Sequence, residues 1–292
     1  MYKTGKTFGL ELEWADWDNR QELPECVSWN HQDYTIVNSN GVGNDPLGKV
    51  YHYGGELNTI PTDSIEKQVA VVEEAKRGVK NWTINYKSNL HIHIAVPGLI
   101  EDLETLKRMQ HWFHDNYKPI LEAVDDLKPF KTGNKVCDAQ VRILEGLRNR
   151  IVTQAQLDRQ DTAKTVEEFF NLEAPQTKDG KPMFHISPRM ALNIRQLKDT
   201  GTVEFRHFCS TVDPEEVYNA IRLCEIIFDS AIDGSSNAEA LEFIRTHKMP
   251  QQMPMDEFLQ RGWNATNVAH DRTTAPERIA NWLKENNLEM PA

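Results

Sequence analysis

Four stretches of this chain alternate polar and apolar residues with a period of two, and that pattern constrains the fold more than any other feature. Side chains on a β-strand point to opposite faces in turn, so residues i and i+2 share a face. In residues 7–14, Glu11 and Glu13 fall on one face and Leu10, Leu12 and Trp14 on the other. In residues 89–96, His91 and His93 oppose Leu90, Ile92 and Ile94. In residues 189–197, Arg189, Asn193 and Arg195 oppose Met190, Leu192 and Ile194; in residues 202–209, Glu204 and Arg206 oppose Val203 and Phe205. Each stretch predicts a strand with one face turned to a hydrophobic core.

Between these stretches the period changes to that of a helix. Thr62 or Asp63 can cap a helix that carries Ile65, Val69, Val72, Ala75 and Val79 at helical spacing. A long helix is expected over about 101–125, with Leu103, Leu106, Phe113, Tyr117, Ile120 and Val124 on one side, and another over about 138–157. Asp213-Pro214 opens a further helix striped with Val217, Ile221, Cys224 and Phe228. Residues 26–60 read as short strands and loops ending on Gly54-Gly55-Glu56, residues 173–183 as a surface loop, and Lys198-Asp199-Thr200-Gly201 as the turn joining the last two strands. This order of elements predicts an α+β fold with an antiparallel sheet, not alternating βα units. Neither G-x-G-x-x-G nor G-x-x-x-x-G-K-[ST] occurs, which argues against a Rossmann fold and a P-loop. Gly234-Ser235-Ser236-Asn237 reads as a boundary between a main domain, 1–234, and a helical C-terminal appendage, 235–292.

Composition narrows the partners. With 39% hydrophobic and 26% charged residues the chain is globular. Its net charge of −11 gives no general attraction to a nucleic-acid backbone. No window approaches the roughly 18 apolar residues of a membrane span, and no secretory pattern precedes Phe8. The four cysteines are scattered without a C-x-x-C pair, so reduced thiols and a cytoplasmic location are expected.

A one-sided sheet with its outer face in water would explain any single stretch. The four together carry something different: carboxylates and imidazoles in i, i+2 pairs, arginines and an asparagine, with no lysine at these positions. Two carboxylates two apart on a strand repel unless a cation lies between them. Hard divalent ions such as Mg²⁺ or Mn²⁺ take carboxylate oxygens, and imidazole is a tolerated partner. Arginine forks suit phosphate or carboxylate. Metal ligands beside anion-binding arginines are what phosphoryl transfer from a nucleotide needs.

The order of the pieces resembles the amidoligase family. Phe8-Gly9-Leu10-Glu11-Leu12-Glu13 resembles its opening F-G-x-E-x-E strand, and Gly54-Gly55-Glu56-Leu57-Asn58-Thr59-Ile60-Pro61 its second acidic segment. Asn89-Leu90-His91-Ile92-His93-Ile94 resembles its H-V-H strand, although Asn89 stands where many members have Gly. An acidic turn that often precedes the second acidic segment is replaced by Asn38-Ser39-Asn40. Met190-Ala191-Leu192-Asn193-Ile194-Arg195 and then Gly201-Thr202-Val203-Glu204-Phe205-Arg206 resemble its closing pair.

The resemblance covers about residues 7–230 and implies a glutamine-synthetase-like ligase: a curved antiparallel sheet, helices on its outer face, ATP and Mg²⁺ or Mn²⁺ on its inner face. It implies metal ligation by Glu11, Glu13, Glu56, His91 and Glu204, with His91 favoured over His93 and His93 nearer the nucleotide. Glu204 would hold the metal beside the phosphates, and Arg206 would stabilise the transferred phosphoryl group, so Arg206, Glu204 and Glu56 form the implied catalytic set. Arg189, Asn193 and Arg195 would hold nucleotide or substrate anions. The implied reaction joins a small-molecule or peptide carboxylate to an amine or ammonia through an acyl phosphate, releasing ADP and phosphate. A glutamine amidotransferase is a conceivable partner. Two rivals use the same residues: a metal-dependent hydrolase, which needs an activated water and no nucleotide, and a non-catalytic member that binds a peptide or partner.

Overall fold

The structure is a computed structural model that describes residues 2, 4–15, 24–30, 54–78, 88–124, 151–174, 179–181 and 190–250. Arg189, the turn at 38–40, residues 138–150 of the second expected helix and residues 251–292 lie outside the described residues; of the rest of that expected helix, Thr153 is an N-cap and helix begins only at Gln154.

The described strands form one sheet in the order β2-β3-β1-β4-β6-β5, with every neighbouring pair antiparallel. They are β1 (Thr7–Ala15), β2 (Val27–Asn30), β3 (Gly54–Thr59), β4 (Asn89–Ala95), β5 (Leu192–Asn193) and β6 (Thr202–Cys209). The helices are α1 (Ile65–Gly78), α2 (Leu103–Val124), α3 (Gln154–Asp161), α4 (Val166–Glu173), α5 (Gln196–Asp199), α6 (Pro214–Asp233) and α7 (Ala238–Thr246). The α+β class and the antiparallel sheet agree with the alternation in the sequence.

The apolar parity of each strand meets helices. Leu10 and Leu12 of β1, Leu90, Ile92 and Ile94 of β4 and Val203, Phe205 and Phe208 of β6 share one buried cluster with Leu106, Met109, Phe113 and Tyr117 of α2 and Val217, Ile221, Cys224 and Phe228 of α6. The Phe113 and Phe205 rings meet edge-on at 6.2 Å. Burying a side chain of this size stabilises the fold by about 1.5–3 kcal/mol, so this face anchors the sheet. Gln68 of α1 ties the β1 end down, donating from Nε2 to the carbonyls of Phe8 (2.5 Å) and Ile60 (2.7 Å). Lys6 does the same for α6, reaching Glu225 at 2.9 Å and Asp229 at 2.7 Å.

Between β4 and β6 the register slips. Leu90 pairs with Phe208 and Ile92 with Phe205, so one residue of β4, His91, faces two of β6, Arg206 and His207. This β-bulge interrupts the period of two. Arg206 stays on the polar face with Glu204, while His207 and Phe208 both enter the core; their rings lie 4.0 Å apart.

One expectation for the sheet changes. The strand expected over 189–197 is described only at Leu192–Asn193, after which Ile194 and Arg195 turn into α5. Arg195, in helical backbone geometry at the α5 N-cap, therefore leaves the sheet before the alternation reaches it, and its Nη1 lies 3.8 Å from Glu173 of α4. At 234/235 the chain turns without leaving the packed body. Gly234 ends α6 in the left-handed region at φ 71°, a geometry that favours glycine. Ser235 then accepts from Trp112 Nε1 at 2.5 Å, Asn237 Nδ2 donates to the Asn116 carbonyl, and Ala240 and Met249 join the main core. Residues 235–250 thus pack with the main body.

Candidate metal centre on the polar sheet face

Register brings the polar parities together. Glu11 pairs with His91 across β1 and β4, His93 with Glu204 across β4 and β6, Asn193 with Glu204 across β5 and β6, and Glu13 with Glu56 across β1 and β3. These pairs lie in three rows of the same face, which together carry the polar residues from β3 to β5.

This face is not a solvated one. Glu204 is 0% exposed, His91 1%, Asn193 1% and Glu13 3%. Leaving a carboxylate this deep without compensation costs several kcal/mol, so the partners of each group decide what the site is. Glu204 accepts from Asn193 Nδ2 at 2.6 Å through Oε2 and from Arg206 Nη1 through Oε1. Glu13 accepts at Oε2 from both the backbone N–H (2.8 Å) and the side-chain amide (2.6 Å) of Asn89.

His91 lies among carboxylates. Its Nδ1 is 2.8 Å from Glu11 Oε2 and 3.4 Å from Glu204 Oε1, and its Nε2 is 3.6 Å from Glu13 Oε1. Burial and the Arg206 guanidinium push its pKa down, but the Glu11 hydrogen bond and the charges of Glu13 and Glu204 outweigh them, and it is raised. Glu11 shows the complement: burial pushes its pKa up, yet contacts with His91 and His93 hold it well below the usual carboxylate range.

His93 is placed differently. Its Nδ1 meets Thr202 Oγ1 at 2.9 Å. Its Nε2 is buried, makes no hydrogen bond, and approaches Glu11 Oε1 at 3.1 Å. Glu11, His93 and Glu204 offer donor atoms all within 4.8 Å of one another. Two cis ligands on an octahedral cation with bonds of about 2.1 Å sit about 3 Å apart, which matches the approach of His93 Nε2 to Glu11 Oε1. The donor set therefore fits a divalent cation, with two carboxylates and one imidazole.

The imidazole in that group is His93, whereas the resemblance implies His91. Glu13 and Glu56 lie next to the group on the same face, and Glu13 reaches it through His91. Arg206 and Asn193 are brought to it through Glu204. Arg195 is directed to Glu173 instead.

Two contributors were passed over in the sequence. Asn89, read as a departure at a glycine position, holds Glu13, and Thr202 backs His93. Both were detectable by extending the period of two by one step: Asn89 has the parity of His91 and His93, and Thr202 that of Glu204 and Arg206.

Compared with protein-family models and with curated proteins, the chain matches none of them.

Proposed function

We propose that the chain is an ATP-dependent carboxylate–amine ligase that works with Mg²⁺ or Mn²⁺ on the polar face of its sheet, in a glutamine-synthetase-like fold of the amidoligase kind. The observation that carries this reading is the closing of Glu11, His93 and Glu204 into one donor set, with the Arg206 guanidinium on the same carboxylate of Glu204. Five segments in amidoligase order support it. A bound divalent cation would neutralise charge on the phosphoryl oxygens of the nucleotide.

The chain's own groups have distinct tasks. Glu11, His93 and Glu204 hold the cation, with Glu13 and Glu56 beside them as further carboxylates. Arg206 presents a fixed fork to the transferring phosphoryl group. Asn193 keeps Glu204 in orientation. The γ-phosphoryl group passes from ATP to a substrate carboxylate oxygen, leaving ADP; the amine then attacks the acyl carbon, loses a proton, and expels phosphate.

The test is ADP and phosphate release by the purified chain with ATP and Mg²⁺ or Mn²⁺, across paired carboxylates and amines. Release that needs both partners and is lost in Glu11→Gln is expected. AMP as the main nucleotide product would move the chain to an adenylating class. Substrate hydrolysis without nucleotide would establish the hydrolase in its place.

A further inference from the structure

The two histidines of β4 differ in what stands behind them. Around His91 stand the carboxylates of Glu11, Glu13 and Glu204, whereas behind His93 is a chain of hydroxyls. His93 Nδ1 lies 2.9 Å from Thr202 Oγ1, Thr202 Oγ1 lies 2.8 Å from Thr200 Oγ1, and Thr200 Oγ1 lies 3.1 Å from the Gln196 carbonyl oxygen. The last member offers acceptors that set one direction for the chain when Thr200 donates to them, the Gln196 carbonyl also accepting from the Thr200 N–H at 2.7 Å. A carbonyl oxygen only accepts, so Thr200 donates its hydroxyl proton to Gln196. The Gln196 side-chain oxygen, 3.3 Å from the same hydroxyl, is also an acceptor and sets the same direction. Thr200 Oγ1 is then left to accept from Thr202, and Thr202 Oγ1 to accept from His93. In this direction neutral His93 carries its proton on Nδ1 and its lone pair on Nε2.

We infer that Thr202, backed by Thr200 and the Gln196 carbonyl, is a positioning residue that locks His93 in the Nδ1–H tautomer and presents its Nε2 lone pair to the carboxylates of Glu11 and Glu204. The second observation behind this is Nε2 itself, buried and without a hydrogen bond beside Glu11 Oε1. In the Nδ1–H tautomer the Nε2 lone pair faces a carboxylate oxygen at 3.1 Å, which a shared cation would relieve, whereas in the other tautomer Nε2–H would point at Glu11. Partners of this kind behind a ligating histidine fix its tautomer and ring angle, and removing one typically lowers metal affinity 10–100-fold. The cation consequence rests on the proposed function; the tautomer does not.

The hairpin end at α5 thereby acquires a role. The short helix Gln196–Asp199 and Gly201, at φ 76°, bring Thr200 and Thr202 side by side, with the Gln196 carbonyl, which also accepts from the Thr200 N–H, at the end of the relay. A regular two-residue turn at this place would not supply that terminal acceptor.

The experiment uses the full chain and two independent readouts. Nitrogen-15 NMR of the cation-free protein, with His93 assigned by its loss in His93→Gln, reports the tautomer. Mn²⁺ titration followed by electron paramagnetic resonance reports affinity. The wild type is expected to show Nδ1–H with a pyridine-like Nε2. Thr202→Val should lose that signature and weaken Mn²⁺ binding on the order of 10-fold, and Thr202→Ser should restore both.

Thr200→Val, at an exposed position, should disturb the tautomer with little effect on the melting temperature, which separates the relay from a folding defect. A wild-type His93 carrying its proton on Nε2, or a Thr202→Val protein unchanged in tautomer, overturns the inference. Absence of Mn²⁺ binding by the wild type would overturn the cation reading of the site, while the NMR result would still decide the role of Thr202.

Discussion

His91 and His207 face each other across the bulge between β4 and β6, both almost fully buried, and their proton affinities move in opposite directions. On the polar face, Glu11, Glu13 and Glu204 surround His91 and raise its pKa against the penalty of burial. On the core face, His207 has Tyr117 Oη at 2.7 Å and the rings of Phe205 and Phe208 around it, and burial alone lowers its pKa to about 3. Burial therefore does not say whether a histidine is charged; the neighbours that come with it do. The same contrast holds for the faces as wholes. One side of the sheet is apolar and packed on α2 and α6, and should be worth stability. The other gathers charges at a cost in stability, and should be worth binding.

The division is tested most severely on the core side. Phe205→Ala removes a fully buried ring from β6 and should lower unfolding free energy by about 3–5 kcal/mol, measured by denaturant unfolding. A loss below about 1 kcal/mol would mean that the helices do not rest on this face as described.

One position further, Arg206→Lys changes the opposite face. Lysine keeps the charge but not the bidentate fork, so turnover in the proposed ligation should fall on the order of 10²-fold, with nucleotide binding changed only a few-fold and the melting temperature nearly unchanged. Unfolding of this variant would make Arg206 a structural counter-ion of Glu204 and erase the contrast with Phe205.

A smaller effect distinguishes the two histidines by pH. The unfolded chain takes up a proton on His207 near its ordinary value of 6.5, but the folded protein does not until about 3. The stability tied to neutral His207 is thus fully present above pH 6.5 and is lost as pH falls toward 3, by about 1.4 kcal/mol per pH unit. Subtracting the His207→Phe profile from that of the wild type should isolate this slope. A flat difference between pH 6 and 4 would show that His207 is hydrated or paired in solution.

The smallest expected change belongs to neither face. Asp213 Oδ1 accepts from the N–H groups of Glu215 and Glu216 at the start of α6, and Oδ2 takes Lys248 at 3.0 Å. Asp213→Ala should cost about 1 kcal/mol in thermal or denaturant unfolding, with cation affinity unchanged. A change in affinity would mean that α6 transmits strain to the polar face and that the two sides are not independent.

Much of this organisation was legible in the sequence because its causes are local. A period of two assigns a residue to a face, and it did so for Glu11, Glu13, His91, His93, Glu204 and Arg206. A period near 3.6 opened by Asp213-Pro214 marked the helix that the structure shows as α6, Pro214–Asp233. Where the expectation failed, the deciding contact came from elsewhere in the chain. Nothing within residues 189–197 announces that the strand stops at Asn193, so Arg195 looked like a neighbour of Glu204 although it is directed to Glu173 on α4. Gly234-Ser235-Ser236-Asn237 reads as a boundary, and only the tertiary structure shows α7 beyond it docked on α2 and α6.

Alternation determined by itself which residues could share a surface, since strand geometry alternates side chains whatever the neighbouring strand is. It could not determine who stands opposite whom, because register depends on hydrogen bonds between strands far apart in sequence. Tertiary structure alone placed His93 opposite Glu204, set two residues of β6 against His91, sent His207 into the core beside Tyr117, and brought Thr202 and Asn89 behind the charged groups. What each imidazole meets is decided by those long-range partners: His91 lies among carboxylates that raise its pKa, and His93 is backed by the Thr202 hydroxyl.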